Sequence, residues 1–245
     1  MISSLLSQGV ETLCKDDSQS DMLITPNRDK ISALLCDYIN EIETFNPAYG
    51  LVGVSNTDEL IIKHILDSLA PLGIISRLLS SSADLRAANG KIDEPLREAT
   101  LKIADVGSGA GLPGIPLAIT MPDCDFTLIE RMGRRAGFLL NTKAVLSLAN
   151  VEVEESELEK VKDSRFDLIT FRAFAPIEPK LINNLLKLCK PNGIIAAYKG
   201  RREKIEEETA TLQNTELNYE IIPYKVPFLD EQRHLLILEH FPKLG

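Results

Sequence analysis

The stretch Ile103-Ala104-Asp105-Val106-Gly107-Ser108-Gly109-Ala110-Gly111-Leu112-Pro113-Gly114 decides the fold of this chain. Its first residues, together with Leu101, predict a buried strand that carries Asp105 near its carboxyl end. Four glycines follow within eight residues, and a helix begins at the last of them. Glycine permits a sharp turn at positive φ and lets a ligand approach the main chain. Because ligands of open α/β sheets bind beyond the carboxyl ends of the strands, this turn is a candidate ligand site.

Three interpretations fit the glycine-rich turn. The segment Gly109–Gly114 matches the dinucleotide pattern G-x-G-x-x-G, and Glu130 lies at a suitable distance along the chain to bind a ribose. The longer segment Asp105–Gly111 resembles the first motif of class I S-adenosylmethionine (SAM) methyltransferases, which also place an acidic residue after the second strand against the ribose of SAM. A tight turn with a purely structural role is the third interpretation. The strands downstream favour SAM.

The composition indicates one large domain, or one domain with an extension. The chain has 245 residues, 44% of them hydrophobic, and a formal net charge of −9. No apolar run approaches the ~20 residues that span a bilayer, and residues 1–20 lack the basic start of a secretory signal. We therefore expect a cytoplasmic protein with no membrane partner. The four cysteines are scattered without metal-ligand spacing, so we also expect no metal.

The basic residues are unevenly distributed. A net negative charge opposes sequence-independent nucleic-acid binding, which depends on neutralising phosphates. Two basic clusters nevertheless follow predicted strands, where they would surround the cofactor. Such clusters are often only solvated surface, but these could hold a nucleic acid by a few placed contacts. They comprise Arg131, Arg134 and Arg135 in the first cluster, and Lys199, Arg201, Arg202 and Lys204 in the second.

Residues 1–79 predict a helical cap that precedes the sheet. Apolar residues recur at helical spacing along most of this part. The helices are expected at residues 2–14, from Thr25-Pro26 to Asn46-Pro47, and from Thr57 onward. Residues 80–99 begin with Ser80-Ser81-Ser82 and show no clear period, so they predict an exposed loop between the cap and the sheet.

Residues 100–245 alternate between strand and helix patterns, which indicates an α/β domain with a mostly parallel sheet. The expected strands are Leu101–Val106, Asp125–Glu130, Val151–Glu154, Phe166–Phe171, Ile194–Tyr198 after a turn at Pro191-Asn192-Gly193, Glu220–Val226 and His234–His240. The connection between the last two is too short for a crossover helix, so they should be antiparallel. A seven-stranded Rossmann-like sheet, parallel except for its last strand, is the architecture of class I SAM-dependent methyltransferases. A dinucleotide dehydrogenase would more often continue with parallel strands.

Several segments together resemble the RsmG (GidB) family of bacterial small-subunit rRNA guanine-N7 methyltransferases. The resemblance runs from about residue 25 to residue 241, and its segments are Phe45–Tyr49, His64–Ser68, Asp105–Pro116, Arg172–Ala175, Tyr198–Gly200 and Arg233–Leu235. It implies SAM as the cofactor and 16S rRNA or the small ribosomal subunit as the partner. It further implies that the product carries a methyl group on N7 of one guanine in the 530 loop.

The resemblance also implies which residues bind the cofactor, and the basic clusters supply most of the candidates for RNA contacts. The cofactor contacts would be Gly107, Leu112, Leu158, Glu159 and Arg172, and Asp105, Gly109 and Glu130 are further cofactor candidates. The RNA candidates are Lys63, His64, Arg134, Arg135, Lys199, Arg201 and Arg202. Because guanine N7 has a lone pair and no proton to lose, we expect no catalytic base. We expect the protein to act as a monomer.

Two other functions stay open on the sequence. One is an NAD-dependent oxidoreductase, which a comparison of SAM and NAD binding would separate from a methyltransferase. The other is a non-catalytic factor of ribosome assembly that binds SAM or RNA, which methyl transfer to small-subunit particles would exclude.

Overall fold

A computed structural model describes residues 2–88, 100–162, 165–173, 176–212 and 217–240. Within these ranges, seven strands form one sheet: β1 Lys102–Val106, β2 Asp125–Glu130, β3 Val151–Glu155, β4 Phe166–Arg172, β5 Cys189–Lys199, β6 Leu217–Tyr224 and β7 Arg233–His240. Their order across the sheet is β3-β2-β1-β4-β5-β7-β6. Strands β1 to β5 pair in parallel, and β7 runs antiparallel to both β5 and β6. The predicted Rossmann-like sheet with an antiparallel last strand is thereby confirmed.

The central strands were recognisable because both of their faces are buried. In β1, Ile103 packs into one hydrophobic cluster, while Ala104 and Val106 pack into the cluster on the opposite face. A strand that is covered on both sides is apolar along its whole length and stands out as a continuous run. The bounds of β2 therefore agree with the prediction, and those of β1 and β4 differ from it by one residue. The edge strand β3, which is partly exposed, also differs by one residue.

Helices cover the two faces of the sheet. One face carries the N-terminal cap together with the helices after β1 and β2, and the other carries the helices after β4 and β5. The helices of the described residues are α1 Ile2–Asp16, α2 Ser18–Ile24, α3 Arg28–Tyr49, α4 Thr57–Leu60, α5 Asp67–Leu69, α6 Leu72–Ala88, α7 Gly114–Thr120, α8 Gly133–Val145, α9 Pro179–Leu188 and α10 Arg202–Thr209. A π-helical stretch, Ile61–Leu66, joins α4 to α5. None of the helices in these ranges has the length and apolar content to cross a bilayer.

Helix α3 differs from its predicted bounds at both ends. The segment Thr25–Asn27 forms a separate 3-10 turn, and α3 begins only at Arg28. At its other end α3 continues through Pro47 and stops at Gly50, whose φ of +59° reverses the chain. Pro47 costs one main-chain hydrogen bond in the last turn, and the Phe45 ring stabilises that turn by packing 5.7 Å from the Phe138 ring of α8.

The prediction of a loop at residues 80–99 is wrong for residues 80–88, which are helical. Helix α6 continues to Ala88, and residues 89–99 lie outside the described residues. Serines suggested a loop because their hydroxyls often compete with helical hydrogen bonds. In α6, the hydroxyls of Ser80 and Ser81 instead donate to the carbonyls of Ser76 and Arg77, both at 3.0 Å, and the helix is kept.

The turn predicted at Pro191-Asn192-Gly193 is also different in the structure, since these residues lie inside β5. The strand begins at Cys189, which pairs with Phe166, whereas Ile194 already pairs with Leu168. The extra residues form a bulge in which Asn192 has a φ of +64°. Turn-forming residues are compatible with such a bulge because the extra residues leave the regular strand geometry.

Candidate functional site

A cavity of about 570 Å³ opens at the carboxyl edge of the parallel sheet. It lies beside β1, where the strand order reverses between β2 and β4, and this switch point is where open α/β sheets bind ligands. Its size is within the ~300–1,000 Å³ typical of small-molecule and cofactor sites. The lining includes Gly107 after β1, Glu130 at the end of β2, Leu158 and Glu159 after β3, and Leu181 and Asn184 of α9.

Asp105 stabilises the glycine-rich turn through two hydrogen bonds. This fully buried carboxylate accepts hydrogen bonds from the Ser108 hydroxyl at 2.7 Å and from the Gly114 amide at 3.0 Å, so it ties the start of the turn to the first residue of α7. Burial raises the pKa of Asp105 to about 6, against the lowering effect of these two hydrogen bonds. Gly107 and Gly109 have φ values of +68° and +59°, which explains the need for glycine there.

The helical cap supports the same turn from its other side. The hydroxyl of Tyr38, on α3, donates to the carbonyl of Ala110 at 2.7 Å, and Tyr38 is fully buried. A β-carbon at Gly111 would lie 3.2 Å from that hydroxyl and 2.5 Å from Ile115, so glycine is required there for close packing. The position of the turn therefore depends on residues of the cap that precede it by about 70 positions in the chain.

Glu130 is fixed at the rim of the cavity. One carboxylate oxygen accepts a hydrogen bond from the Gly109 amide at 2.9 Å, and the other accepts one from the Met132 amide at 2.8 Å. A carboxylate has about four acceptor positions, so two amides leave capacity for the hydroxyls of a ligand. This geometry suits a ribose at the place where the sequence predicted one.

The structure does not bring all the predicted cofactor residues together. Gly107, Glu130, Leu158 and Glu159 line the cavity, and Gly109 is joined to Glu130. The other three lie outside the lining: Asp105 beneath the turn, Leu112 in the hydrophobic core, and Arg172 in the polar cluster described below. Lining residues that the sequence did not indicate include Met132, Ser156, Ala173, Leu181 and Asn184.

Arg172 ends β4 and turns toward the cap. Its guanidinium donates to the Asp67 carboxylate at 3.3 Å and to the main-chain carbonyl of Lys63 at 3.4 Å. Its side chain is only 15% exposed. Its chain neighbour Ala173 lines the cavity, so this polar cluster adjoins the cavity at the carboxyl edge of β4.

His64 is held in one tautomer by the same arginine. The Arg172 guanidinium lies 2.9 Å from Nδ1 of His64. Because arginine only donates hydrogen bonds, Nδ1 is the acceptor and the proton is on Nε2. Burial, followed by the positive charges of Arg172, Lys63 and Arg233, lowers the pKa of His64 to about 4. The imidazole is therefore neutral at physiological pH.

The predicted RNA contacts differ in whether their side chains already form ion pairs within the chain. Three of them form ion pairs within the chain: Lys63 with Glu59 at 3.0 Å, Lys199 with Glu208 at 2.6 Å, and Arg202 with Glu206 at 2.8 Å. The Arg134 guanidinium packs 5.6 Å from the centre of the Tyr49 ring, whereas Arg135 reaches the Gly50 carbonyl at 3.4 Å and lines the cavity. Arg201 is exposed and lines a separate cleft of about 360 Å³ together with Arg233.

Known proteins are similar in sequence to this chain over most of its length. The profile of the GidB family, rRNA small subunit methyltransferase G, matches residues 91–236. The ribosomal RNA small subunit methyltransferase G of Treponema denticola is 42% identical over 220 residues, which cover 86% of this chain and 87% of the relative. This chain belongs to the GidB family. The protein of the same name from Treponema pallidum (strain Nichols) is 37% identical over 243 residues, which cover 98% of this chain and 94% of the relative.

Membership of the GidB family makes this chain a methyltransferase of small-subunit rRNA, with SAM as its cofactor. The predicted family and the predicted cofactor are both confirmed, and the NAD-dependent oxidoreductase is excluded. The cavity fits SAM on its own geometry as well. It has the volume of a cofactor site, a turn at positive φ that exposes main chain, and a carboxylate with spare acceptor positions.

Proposed function

We propose that this chain methylates N7 of a guanine in the 530 loop of 16S rRNA. The observation that carries the choice of N7 is the state of three ionisable groups where the glycine-rich turn and β4 meet the cap. His64 accepts from Arg172, Asp67 is paired with arginines, and Glu130 accepts two amides. Each is engaged as an acceptor, and guanine N7 is a nucleophile that loses no proton. The choice of the 530 loop rests on the resemblance to the RsmG family.

For the cofactor, we propose contacts from Gly107, Glu130, Leu158 and Glu159. SAM supplies an electrophilic methyl group on a positively charged sulfonium. Glu130 would hold the ribose, the main chain at Gly107 would approach the cofactor closely, and the Glu159 carboxylate would favour the positive charge of the ligand. Alignment of N7 with the methyl group is then the main contribution of the protein, because holding two reactants in line can lower the barrier by several kcal/mol.

For the RNA side, we propose that Arg172 and His64 face the target nucleotide where the cavity meets the helical cap. Arg134, Arg135 and Arg201 would add contacts to phosphates. The paired residues Lys63, Lys199 and Arg202 would contribute less, because each would first have to leave a carboxylate.

The folded small subunit should be a better substrate than short naked RNA. The chain has a net charge of −9, and several of its basic residues are already paired. General attraction to phosphate is therefore weak, so recognition has to come from shape and from a few placed contacts. We also infer that the protein works as a monomer in the cytoplasm, where ribosomal subunits assemble. Size-exclusion chromatography with light scattering tests the monomer.

The product is tested by reduction and aniline cleavage of rRNA, which cuts the strand at 7-methylguanosine. RNA from cells that lack the gene should lose a cut in the 530 loop, and the purified protein with SAM should restore it on small subunits. Arg172→Ala should abolish transfer. Arg165→Ala is the matched control, because Arg165 also forms an ion pair, with Glu154 at 2.7 Å, but precedes β4 at the end of the strand opposite to Arg172. A cut that persists without the gene contradicts the proposed product. SAM binding without any transfer would favour the non-catalytic assembly factor.

A further inference from the structure

Asp67 is a buried carboxylate on which three elements of the sheet converge. It is the first residue of α5, and its side chain is 6% exposed. Arg172 at the end of β4 donates to it at 3.3 Å, and the guanidinium of Arg233 at the start of β7 lies 3.4 Å from it. The hydroxyl of Tyr224, at the end of β6, donates to it at 3.1 Å. One carboxylate of the cap therefore meets side chains from the carboxyl edge of the sheet.

The Asp67 carboxylate offsets the repulsion between the two guanidinium groups. Each carries a full positive charge, and both are mostly buried, with side-chain exposures of 15% for Arg172 and 17% for Arg233. Like charges repel more strongly where water is largely excluded. Asp67 contributes one negative charge between the two guanidinium groups, and the exposed carboxylate of Glu231 contributes a second one, 3.0 Å from Arg233. The neighbouring His64 is neutral, so the charges of this cluster balance. A phosphate that binds at Arg233 would take the place of the exposed Glu231 carboxylate, while the buried Asp67 stays between the two arginines.

The two arginines of this cluster border different openings. Arg172 precedes Ala173, which lines the cofactor cavity, and Arg233 lines the cleft that also contains Arg201. Asp67 lies between them and fixes the distance from the one to the other. A nucleotide that places its base at the cavity and its phosphate at the cleft would have to match that distance.

We propose that Asp67 is a positioning residue for the RNA substrate. By holding the guanidinium groups of Arg172 and Arg233 side by side, it presets two hydrogen-bond donor groups that receive the target nucleotide and one of its phosphates. Asp67 itself contacts no substrate. This inference rests on the proposed function, in that the substrate is taken to be small-subunit rRNA.

The test is Asp67→Asn, which keeps the size of the side chain and removes its charge. Steady-state methylation of small subunits should show a KM for subunits raised about tenfold, which corresponds to about 1.4 kcal/mol, while the affinity for SAM measured by calorimetry stays the same. The salt dependence of subunit binding should also weaken, by a slope of about 1 for each phosphate contact that is lost.

Asp167→Asn is the matched control. Asp167 is also a buried carboxylate that pairs with a basic side chain, since it accepts from Lys190 at 2.9 Å and from the Lys102 amide at 2.7 Å. It lies at the amino ends of β1 and β4, at the edge of the sheet opposite to the cofactor. Its substitution should lower the melting temperature and leave the KM for subunits and the salt slope unchanged.

Arg233→Lys gives a second, independent variant in case Asp67→Asn does not fold. It keeps the positive charge and loses the rigid fork that reaches Asp67, so it should raise the KM for subunits as well. If both variants fold, the double variant should be little worse than Asp67→Asn alone, because the two residues act through one arrangement. Fully additive effects would overturn the inference.

Other results also overturn it. An unchanged KM for subunits in Asp67→Asn would show that the carboxylate only anchors the cap. An equal loss of SAM affinity and subunit affinity would also overturn the inference, because it would show that the substitution had loosened the whole cofactor site. A wild-type protein that fails to methylate subunits is a different result, and it would count against the proposed function.

Discussion

The neutral state of His64 has a consequence for stability that His64→Gln should reveal. His64 is half-buried in the π-helical stretch before α5, and its pKa is lowered to about 4, first by burial. The charges of Arg172, Lys63 and Arg233 act in the same direction, and Glu59 opposes them. Protonation of this imidazole in the folded protein is therefore strongly disfavoured.

The sign and size of the effect follow from proton linkage. An unfolded histidine has a pKa of about 6.5, so between about pH 6.5 and pH 4 the unfolded chain binds a proton that the folded chain does not. Acidification through this range therefore lowers the free energy of unfolding. With a folded pKa of about 4, the loss that is due to His64 should be roughly 2 kcal/mol at pH 5.

A second group titrates in the same range with the opposite sign. The pKa of Asp105 is raised to about 6, so the folded protein takes up a proton there earlier than the unfolded chain does. Asp105 thus stabilises the fold as the pH falls from 6 toward 4. Because His64→Gln leaves Asp105 in place, the difference between wild type and variant isolates the contribution of His64.

The assay is urea unfolding of both proteins at pH 7 and pH 5, at constant ionic strength. On going to pH 5, the wild type should lose roughly 2 kcal/mol more than His64→Gln. The chain has three histidines, so NMR can assign the His64 ring signal by its absence from the variant and follow its titration directly. Equal losses in the two proteins, or a His64 signal that titrates near its ordinary pKa, would refute the reasoning.

Three further predictions concern the cofactor turn and the RNA face. Tyr38→Phe leaves the buried Ala110 carbonyl without its donor. The free energy of unfolding should therefore fall by about 1–3 kcal/mol, and SAM should bind more weakly in calorimetry. Unchanged values of both would show that the turn does not depend on α3. Gly107→Val places a β-branched side chain at a φ of +68°, so SAM binding should be lost while the circular dichroism stays native, and unaltered affinity would put the cofactor elsewhere. Arg134→Gln should reduce the salt slope of subunit binding by about 1 with SAM binding intact, and a wild-type slope would make Arg134 a surface charge only.

Local sequence patterns determined the sheet and its ligand turn. Strands that are buried on both faces are continuous apolar runs, and β2 was therefore located to the residue. The glycines at positions 107 and 109 are required by their own φ values, which is a property of the main chain at those positions. The short connection between β6 and β7 was enough to predict an antiparallel pair. Each of these features depends on residues that are close together in the chain.

Only the tertiary structure decided which polar side chains meet. Arg172 and Asp67 are 105 positions apart, and Asp67 and Tyr224 are 157 apart. Folding brings them together because α5 of the cap packs on the carboxyl edge of the sheet. The same applies to Lys199, whose basic cluster suggested a phosphate contact but whose ammonium pairs with Glu208 of α10. A charge or an arginine in the sequence specifies what a side chain can bind, whereas the partner it binds depends on the packing of distant elements, which no local pattern records.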